Sequence, residues 1–352
     1  RYGMDDRFPF GRSILQQWLQ CVDEWDKKYI LETPRQSQSV CEDTSACCEK
    51  SQCSCESPEY RTITRDSRTS PTDWCTRRSG IFPPHFLSET MIRPKKYYGQ
   101  NFLEDDAILS KIATATPIAW KHVIEIGPWY GALTDALIRE HPLSLECIEI
   151  DRDMIRILQE RMHTEWKWSP ITLHEADILS FTPQKTSYIL IANIPYYITS
   201  PILMRFLYDV PISPERMIIM MQREVGEKIL AGTRDPWKSS YFSLRMEYRC
   251  TAIREVLSVP RTAFFPAPKV DSIVLEFIVK KDRFREEEWW LIALWSQAFL
   301  HPRKTLLSNL AQSDTRKYTL RTWLESRGYT EHIRAERLTM EDWISLLAMR
   351  EE

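Results

Sequence analysis

Glycine is scarce in this chain, with nine residues in 352 against thirteen tryptophans. At an average usage of ~7%, about 25 would be expected. The shortage excludes collagen-like, glycine-linker and repeat-turn architectures, and it makes any clustering of glycines informative. Gly127 and Gly131 fall within five residues of each other, and the other seven are scattered. Long apolar runs are missing as well. No stretch approaches the ~18 uninterrupted apolar residues of a membrane helix, so no membrane partner is expected. Net charge is nearly absent, at −2. Residues 1–90 hold 12 Lys+Arg and 14 Asp+Glu, which leaves 35 of each sign beyond them. Any nucleic-acid binding therefore has to come from a local basic face. The opening Arg-Tyr-Gly-Met-Asp-Asp carries acids and no apolar run, which argues against a secretory signal and predicts a cytoplasmic protein.

What is present reads as a folded protein with an extension. A hydrophobic fraction of 43% with 27% charged residues is ordinary for a globular chain. Composition shifts near residue 90: seven of the nine cysteines precede it, leaving Cys147 and Cys250 beyond. Residues 33–79 are rich in Ser, Thr, Arg and acids without apolar periodicity, so 1–90 is expected to be a disordered extension. A zinc or iron–sulfur site is the sharper reading of its cysteines. Against it stand the absence of any C-x-x-C pair or histidine before His85 and the irregular spacing, so no metal is expected. Met91 opens well-patterned sequence and is a candidate biological start.

From His122 apolar runs alternate with helical segments. Strands are expected at His122–Gly127, Leu145–Ile150, Ile171–Asp177, Ser187–Ile194 and Arg216–Gln222, with helices between them. This alternation predicts a doubly wound, mostly parallel α/β sheet over residues 91–281. Thr251–Val259 and Val270–Val279 read as an antiparallel pair closing one edge. Residues 282–352 carry helical periodicity alone and read as a small all-helical C-terminal domain.

Three strand ends carry groups suited to a nucleotide-like cofactor. Glu125-Ile-Gly127-Pro-Trp-Tyr-Gly131 lies at a strand-to-helix turn, where missing Cβ atoms let backbone approach a ligand. Glu149 ends the next strand 22 residues after Gly127, where an acid can accept both ribose hydroxyls. Asp177 ends the third and could accept from an adenine amine. A dinucleotide and S-adenosyl-L-methionine both fit this far.

Asn193-Ile-Pro195-Tyr196, at the end of the fourth strand, separates them. An exocyclic adenine amine is a poor nucleophile because its lone pair is delocalised into the ring. Two acceptors on its hydrogens, the Asn193 side-chain oxygen and the Pro195 carbonyl, pull it toward sp³ geometry. Proline stiffens the turn and keeps its carbonyl free. Tyr196 offers a flat face to an extruded base. Methyl transfer from a sulfonium needs in-line placement more than a strong base. A nicotinamide-dependent dehydrogenase shares the glycine turn and Glu149 but leaves Asn193–Tyr196 unexplained.

Together with Lys95–Leu103 and Phe264-Phe-Pro266-Ala-Pro268-Lys-Val-Asp-Ser272, these motifs resemble the KsgA/Erm family of rRNA adenine N6-dimethyltransferases. The resemblance runs from about Met91 to the C-terminus. It implies a Rossmann-like class I S-adenosylmethionine methyltransferase fold with a helical, rRNA-binding C-terminal domain. It also implies that Gln100, Asn101, Leu103, Gly127, Glu149, Asp177 and Asn193 hold the cofactor. Asn193 and Pro195 would face the target amine, and Tyr196 and Phe264 would sandwich the base. Pro201, Pro268–Ser272 and Gln297–Asn309 look like the small-subunit branch, in which Arg303 and Lys304 would contact phosphates. The substrate implied is a pair of adjacent adenosines in a hairpin loop near the 3′ end of small-subunit rRNA, met on an immature small subunit by a monomeric enzyme. An assembly factor with secondary methylation and an Erm-type large-subunit enzyme are the alternatives. The family usually has glycine where Trp129 and Trp237 stand. Some bacterial lineages read UGA as glycine, and a gene translated with UGA as tryptophan would show this substitution and a falsely open upstream region.

Overall fold

A computed structural model describes residues 101–235, 238–281, 288–311 and 313–349. The expected extension 1–90, its cysteines, Gln100 and Trp237 lie outside the described residues.

The core is a seven-stranded sheet of β2 (His122–Ile126), β3 (Ser144–Glu149), β4 (Ile171–Glu175), β5 (Ile189–Asn193), β6 (Arg216–Gln222), β7 (Cys250–Val259) and β9 (Ser272–Val279), in the order β4-β3-β2-β5-β6-β9-β7. The first five strands in that order are parallel; β9 runs antiparallel to β6, and β7 antiparallel to β9. The expected closing pair is therefore present, with β9 inserted beside β6 and β7 on the rim. Two register shifts interrupt β7, and such bulges blunt an edge against further pairing. β5 is buried along its whole length, as a central parallel strand covered on both faces must be.

Helices α1 (Asp106–Ala113), α2 (Ala132–Arg139), α3 (Arg152–His163), α4 (Thr199–Met204), α5 (Arg223–Arg234) and α6 (Tyr241–Arg249) connect or cover these strands. α1 starts where the Asp105 carboxylate accepts the Ile108 N–H, and the Asp151 side chain caps α3 by accepting from Asp153. The helix that follows β5 begins at Thr199 and continues as a π-helical turn over Arg205–Asp209. A second, two-stranded antiparallel sheet pairs β1 (Phe102–Leu103) with β8 (Phe264–Phe265).

The C-terminal helices α7 (Trp289–Ala298), α8 (Leu306–Leu310), α9 (Asp314–Ser326) and α10 (Met340–Ala348) follow the helical periodicity. Trp295 and Trp343 are fully buried among them. The segment meets the α/β half where the Tyr248 hydroxyl donates to Glu288 at 2.9 Å and Tyr248 stacks edge-on to Trp295. Among the described residues no helix is long and apolar enough to cross a membrane.

Candidate active site

Strand register assembles the site. Ile126 pairs with Ile148 on one side and with Ala192 on the other. The next residue of each strand, Gly127, Glu149 and Asn193, therefore stands beside the others at the carboxyl edge of the sheet. This edge is where open parallel sheets bind ligands.

The turn after β2 is wound tightly enough to force left-handed backbone. Gly127 donates to Ile148 at 3.0 Å and Gly131 to Pro128 at 2.8 Å, and φ is +66° at Gly127, +58° at Trp129 and +95° at Gly131. At Gly131 space also demands glycine, because a Cβ would stand 2.4 Å from the Trp166 ring. Glu149 is 5% exposed. Its Oε1 accepts from the Ile150 and Asp151 N–H groups at 2.8 and 2.9 Å, and its Oε2 accepts from Trp129 N–H at 3.3 Å. Burial raises its pKa, against the lowering effect of those three donors. Asp177 lies beyond β4 on the surface, where its carboxylate accepts the Leu179 N–H of its own turn.

Asn193 ends β5 as a buried residue. Pro195 follows with extended backbone and caps a 3₁₀ turn over Tyr196–Ile198. Its carbonyl accepts from Ile198 N–H at 3.2 Å, and the second lone pair of a carbonyl remains for another donor. The Tyr196 hydroxyl shares a 2.8 Å hydrogen bond with Ser272, which ties this loop to the start of β9. Burial pushes that hydroxyl above its ordinary pKa, so it stays neutral.

Trp129 does not turn outward. Its indole is 8% exposed, its Nε1–H donates to the Asn193 carbonyl at 2.8 Å, and its ring meets Phe102 edge-on with centroids 5.7 Å apart. Nε1 stands 3.6 Å from the point where a Cβ on Gly127 would lie, so the indole covers the glycine whose bare backbone should meet a ligand. Between Phe102, Leu109, Leu133 and Asn193 it leaves a cavity of about 10 Å³, room for about one water. Leu103 is buried beside it and accepts the Tyr130 hydroxyl at 3.3 Å; Asn101 is partly exposed just before it.

One further buried acid precedes the glycine turn. Glu125 is wholly buried in β2, and burial pushes its pKa up to about 8 despite hydrogen bonds from Thr134 and Cys147. Its Oε1 has no partner among the described residues. An acid inside the apolar run His-Val-Ile-Glu-Ile is the signal that could have found it.

Of the remaining expected residues, Phe264 pairs with Leu103 across the two-stranded sheet. Phe264 is 6% exposed and belongs to the same buried cluster as Leu103, Leu109 and Val259, whereas the neighbouring Phe265 is 59% exposed. Arg303 and Lys304 lie on an exposed turn before α8. Asn309 pins that turn by donating to the Ala298 and His301 carbonyls.

Comparison with known proteins fits this geometry. The model of the family "Ribosomal RNA adenine dimethylase" matches residues 91–351. The chain belongs to the ribosomal RNA adenine dimethylase family. It is 35% identical over 268 residues to a ribosomal RNA small subunit methyltransferase A of Lactococcus lactis, covering 72% of this chain and 88% of the relative. A Mycoplasmopsis pulmonis protein of the same name is 33% identical, with coverage of 72% and 98%. Among solved structures, a dimethyladenosine transferase from Plasmodium falciparum superposes with a TM-score of 0.61 at 26% identity, covering 71% of this chain and 97% of that one. The 23S rRNA methyltransferase ErmE shares the fold, with a TM-score of 0.57 at 24% identity and coverage of 72% and 100%. The chain is thus an S-adenosylmethionine-dependent rRNA adenine dimethyltransferase with a Rossmann-like fold. Glu149, Gly127 and Asn193 fit that cofactor in type and placement. Trp129 does not, because its indole occupies the approach to Gly127.

Proposed function

We propose that this protein dimethylates N6 of two adjacent adenosines in a hairpin loop near the 3′ end of small-subunit rRNA, acting as a cytoplasmic monomer on the immature small subunit. The observation that carries the reading is Asn193 at the carboxyl edge, level with Glu149 and Gly127 and followed by a proline-stiffened turn. The Asn193 amide oxygen and the Pro195 carbonyl would accept the two hydrogens of the target amine and draw its lone pair out of the ring. Tyr196, held by Ser272, would present its face to the extruded base. Loops suit this chemistry because their bases splay out cheaply. The names of the relatives support the small-subunit branch. In this reading residues 91–281 form the methyltransferase domain and 282–352 the rRNA-binding domain, with the exposed Arg303–Lys304 turn meeting phosphates.

Methyl transfer from labelled cofactor to unmethylated small subunits, followed by mapping of the modified bases, tests the proposal. Two dimethylated adenosines in the 3′-terminal loop are expected. Modification of large-subunit rRNA instead would refute it. Asn193→Ala is expected to cut turnover by about 10²-fold through loss of amine placement while particle binding persists. Unchanged methylation would remove Asn193 from its assigned role.

A further inference from the structure

We propose that residues 120 and 129 are glycine in the protein as the cell makes it, the tryptophans arising from UGA codons read in the wrong code. The functional consequence, that the cofactor cradle is complete only with glycine at 129, rests on the methyltransferase reading above. The assignment of residues does not.

Three non-glycine residues among those described have left-handed backbone: Trp120 at φ +60°, Trp129 at +58° and His141 at +54°. His141 follows the last residue of α2 and its cap, a position where helices commonly turn left-handed, and histidine is one of the residues that tolerates it. Nothing comparable accounts for the two tryptophans. For a bulky aromatic this backbone is an outlier, and glycine is the residue that adopts it without cost.

At 120 the local hydrogen bonds show that backbone, not indole, sets the geometry. The main-chain N–H there donates to His141 at 3.0 Å, Lys121 donates to Ile118 at 3.0 Å, and Leu143 donates to Lys121 at 2.8 Å. Ala119 and Pro142 bridge beside them. The chain is pinned on both sides of Trp120 while the ring itself is 79% exposed. No packing compensates for the conformation. At 129 the strained residue sits between two left-handed glycines in a turn closed by Gly127 and Gly131, and its side chain fills the space the site needs.

One cause joins these facts to the composition. A codon that means glycine in one code and tryptophan in another would deplete glycine, enrich tryptophan and place indoles at left-handed turns. The chain has nine glycines and thirteen tryptophans. Ordinary mutation would not favour tryptophan at two independent glycine conformations, one exposed and one buried.

The test is peptide mass spectrometry of the protein purified from its native source, over the peptides that contain residues 120 and 129. Glycine at both is expected, with UGA at both codons in the gene. Tryptophan at either position overturns the proposal, as does a UGG codon at either. A second measurement does not depend on the source. W120G, in the chain carrying tryptophan, is expected to raise the melting temperature and leave S-adenosylhomocysteine binding unchanged. A lower melting temperature would show that Trp120 is a native part of the fold and would equally overturn the assignment. Neither result depends on methylation, so failure here and failure of the proposed function are told apart.

Discussion

Replace Trp129 with glycine, and stability and cofactor affinity are expected to move in opposite directions. Removing a buried tryptophan side chain costs about 3–5 kcal/mol, and relieving left-handed backbone returns about 1–2 kcal/mol. The ligand-free W129G protein should therefore be less stable by about 1–4 kcal/mol. For binding the sign reverses. In the chain with tryptophan a ligand must expel the indole, breaking its bond to the Asn193 carbonyl and its edge-on contact with Phe102. Each of those is worth about 0.5–1.5 kcal/mol, and re-exposing the ring adds about 1.5–3 kcal/mol. A displacement cost of roughly 2.5–6 kcal/mol is roughly a 60-fold to 20,000-fold difference in affinity, at about 1.4 kcal/mol per tenfold. Isothermal titration with S-adenosylhomocysteine, beside thermal melts with and without it, reads both quantities. W129G should melt lower alone, bind far more tightly, and gain more from the ligand. If the two chains bind S-adenosylhomocysteine equally well, the indole does not obstruct the cradle and the reasoning fails.

Glu125 gives a pH-dependent prediction with a definite sign. Its pKa is about 8 when folded against 4.5 ordinarily, so between those values the folded state binds more protons than the unfolded one. Stability contributed by this group is present in full below the lower value and is lost as pH rises through the upper one. Glu125→Gln, which mimics the neutral acid, should flatten that decline and melt above the parent at alkaline pH. Parallel melting curves against pH would refute the assignment. Gly131→Ala places a Cβ 2.4 Å from the Trp166 ring on backbone with φ +95°, and should lower unfolding free energy by about 2–4 kcal/mol in urea titrations. R303A/K304A should raise KM for RNA and leave kcat unchanged. It should also reduce the magnitude of the salt slope of log affinity by roughly 1.4–1.8 if both residues meet phosphates; an unchanged slope would place RNA elsewhere.

Much of the site was legible because its logic is local. Gly127, Glu149 and Asn193 each end a strand whose apolar run can be read directly, and parallel pairing then brings strand ends level. The edge pair Cys250–Val259 and Ser272–Val279 was legible for the same reason. The two-residue strands Phe102–Leu103 and Phe264–Phe265 were not, since so short a run carries no period and exists through its partner alone. Nor could sequence say which of Phe264 and Phe265 is buried. The π-helical turn at Arg205–Asp209 likewise follows from packing, with Tyr208 bonded to the Arg245 carbonyl.

The sequence by itself determined the strand and helix order, the family and the types of residue at the cofactor edge, because periodicity and motif spacing are properties of the chain alone. It also raised the doubt about Trp129. Only the tertiary structure decided that the indole turns inward onto the Asn193 carbonyl, that one oxygen of the buried Glu125 has no partner among the described residues, and that Trp120 shares the left-handed backbone of Trp129. The physical reason is that dihedral angle, burial and hydrogen-bond satisfaction are set by neighbours distant in sequence. At residue 120 those neighbours are His141 and Pro142, and at residue 129 they are Glu149 and Asn193.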